Sequence, residues 1–288
     1  MLAVAATVML VAGCSAEPVA GPFAGYGHSG TVSAIRFWIR SRLLAARPLV
    51  AGHQRVPAYG QPASSHIAGP AAALRVGALF EHDAGGNHFC TASVVASPSK
   101  DLLITAAHCI NGGKGSGYHS DIVFIPDYQN GNAPFGVWAP KQLLVAPQWA
   151  SSSDPDYDVG FVVLRPHDGE NIQQVLGANH LTIDTGYSYL VRVTGYPDSA
   201  NAPTTCINWT SQQSATQLRF ECGGFTGGTS GSPWVTHFDP RTRTGTIVGV
   251  IGGYQQGGDT PAVSYSVHLS SGVQHLYRQA IADEAAGR

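Results

Sequence analysis

Three short segments of the chain carry residue types that together could perform acyl transfer. They are T-A-A-H-C at residues 105–109, D-Y-D-V-G-F-V-V-L at residues 156–164 and G-G-T-S-G-S-P at residues 227–233. A serine hydroxyl is a weak nucleophile at neutral pH, so it needs a neighbouring base that takes its proton as it attacks. His108 suits that role because an imidazole titrates near neutral pH. A carboxylate beside the ring would fix its tautomer and stabilise its charged form.

These residues follow one another in the order histidine, aspartate, serine. The order is that of chymotrypsin-like enzymes, and it differs from the orders in subtilisin-like enzymes and α/β-hydrolases. With these motifs, residues 76–285 resemble the secreted bacterial serine endopeptidases of the trypsin/chymotrypsin fold. The resemblance implies an all-β fold of two six-stranded antiparallel β-barrels with a C-terminal helix, and an active site between the barrels. It also implies hydrolysis of a polypeptide substrate through an acyl-enzyme intermediate, with no cofactor.

The resemblance implies a catalytic triad of His108, Asp158 and Ser230. Three aspartates lie close together in the second segment, so the carboxylate has alternatives in Asp154 and Asp156. We choose Asp158 because it stands immediately before the apolar run V-G-F-V-V-L, as the catalytic aspartate of the family stands immediately before an apolar strand. The other two fit a solvated acidic turn.

The third segment is similar to the family pattern G-D-S-G-G-P. Ser230 occupies the position of the family's nucleophile, whereas Ser232, the alternative, occupies that of its second glycine. Glycines there would let the backbone turn so that the amides of Gly228 and Ser230 form an oxyanion hole. Thr229 replaces the aspartate that pairs with a newly freed N-terminal amine in the animal enzymes. We therefore expect maturation that does not use this ion pair.

The resemblance places substrate-binding residues at Gly224, Phe225, Gly252 and Gly253. Gly224 stands where trypsin-like relatives carry an aspartate that binds arginine or lysine side chains. Glutamate-specific relatives carry a pocket histidine where this chain has Val-Ile at residues 250–251. We therefore expect a preference for small or apolar residues at the cleavage site.

Five cysteines occur in the chain, which leaves one without a partner if the others pair. The family resemblance implies a disulfide between Cys90 and Cys109, beside the catalytic histidine, and parity then pairs Cys206 with Cys222. Cys14 ends V-A-G-C, which resembles a bacterial lipobox in which the cysteine is lipidated. Lipidation would account for the odd number and would attach the protein to a membrane.

The chain divides by composition into three regions. Residues 1–14 contain an apolar run that is too short to span a bilayer, and they fit a signal peptide with a lipobox. Residues 15–70 are rich in Ala, Pro, Gly and Ser and fit a leader or propeptide, and residues 71–288 form the protease domain. We expect the protein to be secreted or anchored at the cell envelope, where disulfides persist.

The overall composition limits the partners. The net charge is −2 and only 12% of the residues are charged, so nothing favours nucleic acid. The chain lacks a C-x-x-C pair and its twelve histidines show no ligand spacing, so we expect no metal. We expect a monomer. The alternative function is that of a non-catalytic, protease-like surface lipoprotein that binds peptides or a partner protein, although no member of the triad is lost.

Short runs of β-branched and aromatic residues follow one another from residue 76, with turn-forming residues between them. They predict two sets of strands, at residues 76–80, 88–96, 102–105, 121–126, 142–146 and 159–164, and at residues 189–196, 217–221, 231–236, 246–252 and 263–267. Residues 273–285 have apolar side chains at helical spacing and predict a helix on the second barrel. Residues 32–46 of the leader predict one amphipathic helix, with Ile35, Trp38, Ile39 and Leu43 on its apolar face.

Overall fold

The computed structural model describes residues 23–25, 28–49, 74–184, 186–198 and 200–285. Its strands are β1 (Phe23–Gly25), β2 (Arg47–Pro48), β3 (Val76–Asp83), β4 (Gly86–Val94), β5 (Leu102–Thr105), β6 (Ser120–Pro126), β7 (Pro140–Val145), β8 (Gly160–Leu164), β9 (His180–Leu181), β10 (Leu190–Gly195), β11 (Thr204–Gln212), β12 (Gln217–Glu221), β13 (Pro233–Asp239), β14 (Thr244–Val250) and β15 (Val263–Val267). Its helices are α1 (His28–Phe37), α2 (Arg40–Ala45), α3 (Pro147–Ser152), α4 (Ile172–Leu176) and α5 (Ser271–Ala285). None of these helices has the length and apolar character needed to span a membrane. The predicted signal peptide and Cys14 lie outside the described residues.

Six antiparallel strands form the first barrel, in the order β7-β8-β5-β4-β3-β6. The barrel closes where Phe124 of β6 exchanges two backbone hydrogen bonds with Trp138, of 2.8 and 2.9 Å, just before β7 begins. The two leader strands extend this sheet, because β1 pairs with β7 and β2 pairs with β4. The first predicted set of strands is confirmed to within a few residues.

Six more antiparallel strands form the second barrel, in the order β15-β12-β11-β10-β13-β14. It closes where the Gly252 amide donates to the Tyr265 carbonyl at 3.0 Å. The short strand β9 adds to its edge, parallel to β14. The sequence patterns missed β11, but the predicted fold of two six-stranded antiparallel barrels is confirmed.

Strands β5 and β8 are buried on both faces, which explains their continuous apolar sequences. Side chains alternate along a strand, so neighbouring residues enter different cores. Leu103 and Val162 lie in the core of the first barrel. Ile104 and Phe161 lie in a second core that the two barrels share with α5. The strand pair β5–β8 is therefore packed on both faces. Strand β5 ends just before His108, and β8 begins just after Asp158.

Helix α5 packs at the junction of the barrels. Its buried residues Val273, Leu276 and Ala280 contact a core that contains residues of both barrels. The Tyr277 hydroxyl donates to the Ala96 carbonyl, which lies just after β4, at 3.0 Å. The predicted C-terminal helix is confirmed, and it contacts the first barrel as well as the second.

The leader packs against the first barrel through two helices and not one. The break falls at residues 38–39, where Ile39 has an extended backbone and the Trp38 indole reaches the Asp121 carbonyl. Trp38 and Leu43 are buried with the aromatic and β-branched residues of β3 and β6, whereas Ile35 and Ile39 are exposed. The predicted apolar face is therefore only half right, because Ile35 lies on the exposed side of α1 and Ile39 lies in the break between the helices.

Both predicted disulfides are present, Cys90–Cys109 and Cys206–Cys222. The first joins β4 to the turn that carries His108, and the second joins β11 to the residue after β12. All four cysteines of these two disulfides are buried. Such bonds persist in oxidising compartments, so they fit an extracytoplasmic protein.

Candidate active site

The ends of β5 and β8 bring a histidine and a carboxylate together. Thr105 at the end of β5 pairs with Gly160 at the start of β8. His108 follows Thr105 in the 3₁₀ turn Ala107–Cys109, and Asp158 precedes Gly160 after the turn Pro155–Tyr157. Because the two strands are antiparallel and held between two cores, the residues just beyond these ends meet. The contact between His108 and Asp158 is thus a consequence of the register of β5 and β8.

The His108–Asp158 contact has the geometry of an oriented base. The ring Nδ1 lies 2.8 Å from Asp158 Oδ2 and 3.1 Å from Oδ1, and the His108 amide donates to Oδ1 at 3.0 Å. The Gly253 amide donates to Oδ2 at 2.9 Å. Since a carboxylate only accepts, the ring carries its proton on Nδ1 and presents the Nε2 lone pair. The structure brings together the two residues that the sequence analysis chose.

The rival aspartates have other contacts. Asp154 accepts from the Asp156 amide at 3.0 Å and caps the turn before Asp158. Asp156 accepts from the Gln217 side-chain amide at 2.7 Å. Asp158 is fully buried, whereas the other two are partly exposed. The local structure therefore assigns the flanking aspartates to shaping the turn.

The serine segment is a tight turn held against β4. Gly228 and Gly231 have φ values of +89° and +83°, which favour glycine. A Cβ at Gly231 would overlap the Thr91 carbonyl oxygen of β4. The Thr91 amide donates to the Ser230 carbonyl at 2.8 Å, and its hydroxyl donates to the Gly228 carbonyl at 3.0 Å. These contacts fix the backbone on both sides of Ser230.

The two serines of this segment have different surroundings. Ser230 lies with His108 on the wall of one open cleft of about 960 Å³. Ser232 is fully buried, and its hydroxyl donates to the Thr229 carbonyl at 2.6 Å. Among the hydrogen bonds of the described residues, none joins the Ser230 hydroxyl to the His108 ring. Such catalytic contacts are often long without substrate and tighten when it binds.

Thr229, which replaces the family's aspartate, has a local partner. Its hydroxyl donates to the Thr226 carbonyl at 2.7 Å, and its amide donates to the same oxygen at 3.2 Å. The turn that precedes Ser230 is thus closed by neutral hydrogen bonds, which need no ion pair.

The predicted substrate-binding residues lie around the cleft but do not all line it. Phe225 lines it, whereas Gly253 contacts Asp158 instead. Gly224 is half-buried and Gly252 is buried, and each lies next to a lining residue in the chain. Ile251, which the sequence analysis compared with a pocket histidine of relatives, also lines the cleft. Lining residues that the sequence analysis did not name include Gly257, Gly258, Asp259, Ser264 and Asp198.

The leader lines the same cleft, which the sequence patterns did not reveal. Strand β2 pairs in parallel with β4, with Arg47 opposite His88, and the Leu49 amide donates to the Phe89 carbonyl at 3.0 Å. Phe89 directly precedes the disulfide-bonded Cys90. Residues 46–49 therefore form one wall of the space that contains His108 and Ser230.

Comparison with solved structures agrees with this fold. No protein-family model and no curated protein matches the chain. Among solved structures, the protease Anisep from Arthrobacter nicotinovorans is similar, with 27% identity and a TM-score of 0.66 over 73% of this chain and 96% of that one. The thermostable serine protease AL20 from an extremophilic microorganism has the same identity and TM-score, over 73% of this chain and 98% of that one.

A third solved structure, a Glu endopeptidase, has 15% identity and a TM-score of 0.61, over 77% of this chain and 98% of that one. At that identity the likeness concerns the fold alone. The first two structures are bacterial serine proteases of the trypsin/chymotrypsin type, and they support a peptidase. The chain therefore has the chymotrypsin-like fold, and its structural neighbours are bacterial serine proteases.

Proposed function

We propose that the protein is a serine endopeptidase that uses Ser230 as nucleophile, His108 as base and Asp158 as the group that orients the base. The observation that supports this most is the buried His108–Asp158 pair on the cleft wall that also presents Ser230. A histidine whose Nδ1 is bound to a carboxylate offers Nε2 to the cleft. This is the arrangement that activates a serine hydroxyl.

In this mechanism the Ser230 hydroxyl attacks the carbonyl carbon of a peptide bond while His108 takes its proton. The tetrahedral oxyanion collapses to an acyl-enzyme when His108 returns that proton to the leaving amine. Water then attacks the acyl group by the same route and restores the serine. Asp158 keeps its negative charge throughout and stabilises the imidazolium.

The oxyanion would be bound by the backbone amides of Gly228 and Ser230. The positive φ of Gly228 and the two hydrogen bonds from Thr91 support this, because they hold the peptide planes of the turn in one orientation. A preorganised pair of donors requires no rearrangement when charge develops. Loss of one such donor costs about 10²–10³-fold in turnover.

For the substrate we propose a polypeptide with a small or apolar residue at the cleavage site. Phe225 and Ile251 contribute apolar surface to the cleft. One of the solved structures is of a Glu endopeptidase. Ile251 gives this chain no cationic group that would favour glutamate.

We further propose that residues 15–70 form a propeptide, and that its residues 46–49 cover one side of the cleft until it is removed. The pairing of β2 with β4 beside His108 supports this. Residues 1–14 would direct export, with lipidation of Cys14 anchoring the protein at the cell envelope. No second macromolecule is needed for the proposed chemistry, and we propose a monomer.

The test is labelling with a small fluorophosphonate, which reacts with an activated serine and is small enough to enter the open cleft. We expect one adduct, mapped to Ser230 by mass spectrometry, and none in Ser230→Ala. Peptide hydrolysis should fall on the order of 10⁶-fold in that variant. Ser232→Ala is the matched control and should still be labelled.

An adduct on Ser232 would contradict the assignment of the nucleophile. A folded protein that is not labelled at any serine would contradict the proposed function. That result would favour the alternative of a non-catalytic, protease-like surface protein that binds peptides or a partner.

A further inference from the structure

A buried carboxylate lies behind the candidate active site without a hydrogen-bond donor. Glu81 of β3 is 0% exposed, and within the described residues neither of its carboxylate oxygens accepts a hydrogen bond. Burial, with a smaller contribution from the charge of Asp83, raises the pKa of Glu81 to about 8. A buried carboxyl group without a donor stays protonated near neutral pH, and it ionises when a cation binds beside it.

The nearest cationic candidate is His119, whose ring is oriented by the active-site segment. His119 Nε2 lies 3.1 Å from the backbone carbonyl oxygen of His108. A carbonyl only accepts, so the proton of the neutral ring is on Nε2 and the Nδ1 lone pair is directed elsewhere. Nδ1 lies 3.6 Å from Glu81 Oε2.

The His119 Nδ1 lone pair therefore faces the Glu81 carboxyl in a buried space, at a distance too long for a hydrogen bond. A metal ion between them would take the place of the carboxyl proton. The arrangement of a histidine that donates one ring nitrogen to a backbone carbonyl and directs the other at a carboxylate is typical of metal-ligating histidines. A metal ion about 2 Å from each of two ligands at tetrahedral angles separates them by roughly 3.3 Å. The observed 3.6 Å is close to that separation.

Asp83 of β3 can supply a third ligand atom, because the strand places it beside Glu81 and His119. Asp83 lies two residues after Glu81, so both side chains are on one face of β3. His119 immediately precedes β6, which pairs with β3 across a bulge between Phe80 and His82. Ligand atoms of Glu81, Asp83 and His119 all lie within 4.8 Å of one another. His88, opposite Glu81 on β4, places Nε2 3.3 Å from Asp83 Oδ1 and can orient that carboxylate.

We propose that Glu81, Asp83 and His119 bind a divalent transition-metal ion, with Zn²⁺ as the best match, behind the segment that carries His108. One imidazole and two carboxylates suit Zn²⁺, whereas Ca²⁺ and Mg²⁺ prefer oxygen ligands alone. The sequence analysis expected no metal. The ion acts structurally, because His119 transmits its position to the backbone of His108 and no ligand faces Ser230.

The experiment uses the full chain with Ser230→Ala, which prevents self-cleavage and makes the result independent of the proposed function. The chelator-treated protein is titrated with Zn²⁺ by calorimetry, and with Co²⁺ while its visible absorption spectrum is recorded. We expect one equivalent of tight binding and a Co²⁺ spectrum typical of four-coordinate nitrogen and oxygen ligands. Glu81→Gln and His119→Gln should each weaken Zn²⁺ binding at least about 100-fold, since even the loss of an outer-shell partner costs 10–100-fold.

The matched control is His167→Gln. His167 lies 3.6 Å from Asp168, the same separation as His119 from Glu81, but both side chains are exposed. This variant should bind Zn²⁺ like the parent. Thermal unfolding of the metal-free variants would show that each is folded. Absence of stoichiometric binding, unchanged binding in Glu81→Gln, or an equal loss in His167→Gln would each overturn the proposal and would indicate adventitious binding by surface histidines only.

Discussion

Replacement of Asp158 by asparagine tests the most specific part of the proposed mechanism. The carboxylate is fully buried and accepts from the His108 amide at 3.0 Å, from His108 Nδ1 at 2.8 Å and from the Gly253 amide at 2.9 Å. Asparagine has one acceptor oxygen and one donor amide. Because both carboxylate oxygens receive hydrogen bonds, the new amide must face a donor on one side.

The expected losses of stability and turnover follow from this donor–donor mismatch. If the amide faces Gly253, one charge-assisted hydrogen bond is replaced by a donor–donor contact, at a cost of roughly 1.5–3 kcal/mol in unfolding free energy. In a chain of this size that lowers Tm by about 3–12 °C. The loss of negative charge, or the wrong ring tautomer if the amide faces His108, lowers turnover about 10⁴-fold.

The assay is peptide hydrolysis by Asp158→Asn, together with thermal unfolding of the same preparation. Asp156→Asn is the matched control, because its carboxylate binds the Gln217 amide and does not contact the His108 ring. We expect the control to keep turnover within about tenfold of the parent, which is 1.4 kcal/mol in the activation barrier. A folded Asp158→Asn with turnover close to the parent, or an equal loss in Asp156→Asn, would refute the reasoning.

Three further predictions concern the turn, the second disulfide and the leader. Gly231→Ala should destabilise the protein by several kcal/mol, measured by urea unfolding, because its φ is +83° and a Cβ would overlap the Thr91 carbonyl. Replacing Cys206 and Cys222 together by serine should lower the unfolding free energy by about 3 kcal/mol, measured in the same way. Leu49→Pro removes the amide that binds β4, so the full chain should hydrolyse a peptide substrate several-fold faster.

Each of these three has a control that separates the stated cause from a general effect. Gly115 also has a positive φ, of +77°, but a Cβ there meets no neighbour, so Gly115→Ala should cost much less than Gly231→Ala. For the disulfide, the control is the parent in reducing buffer. Its unfolding free energy should equal that of the double variant if only Cys206–Cys222 is reduced, and it should be lower if Cys90–Cys109 is reduced as well. Leu49→Ala keeps the backbone amide and should behave like the parent. Equal rates in Leu49→Pro and Leu49→Ala would mean that the leader does not restrict the cleft.

Most strands could be predicted because their apolar residues alternate or form short continuous runs. Strand β11 was missed because it is rich in Thr, Ser and Asn, and its largest side chain, Trp209, is 60% exposed. Its position is determined by pairing with β10 and β12 and by the Cys206–Cys222 bond, which are long-range interactions. Local patterning carries little information on such a strand.

The leader shows a different limit. The spacing of its apolar residues predicts a helix, and most of the predicted segment is helical, in α1 and α2. Its spacing does not reveal that Trp38 must turn towards the first barrel or that Arg47 and Pro48 add a strand beside His88. Those contacts depend on the surface that β3, β4 and β6 create once they are assembled.

Among the residues at the two proposed sites, some could be predicted from the sequence and others could not. The sequence motifs indicated His108, Asp158 and Ser230, because the family resemblance assigns each a place in a short pattern. Glu81 and His119 belong to no pattern, since they lie 38 positions apart, Glu81 on β3 and His119 immediately before β6. Only the register of three strands shows that they meet.

The relative position of His108 and Ser230 depends on a residue that does no chemistry in the proposed mechanism. His108 belongs to the first barrel, whereas Ser230 precedes β13 of the second. Thr91 of β4 joins them, because its amide binds the Ser230 carbonyl at 2.8 Å and its carbonyl accepts the Thr105 hydroxyl, three residues before His108, at 2.8 Å. Its hydroxyl also accepts from the Tyr196 amide at 3.0 Å. Thr91 thus contacts the segments of both residues, and in the proposed mechanism it helps to fix the distance between the base His108 and the nucleophile Ser230.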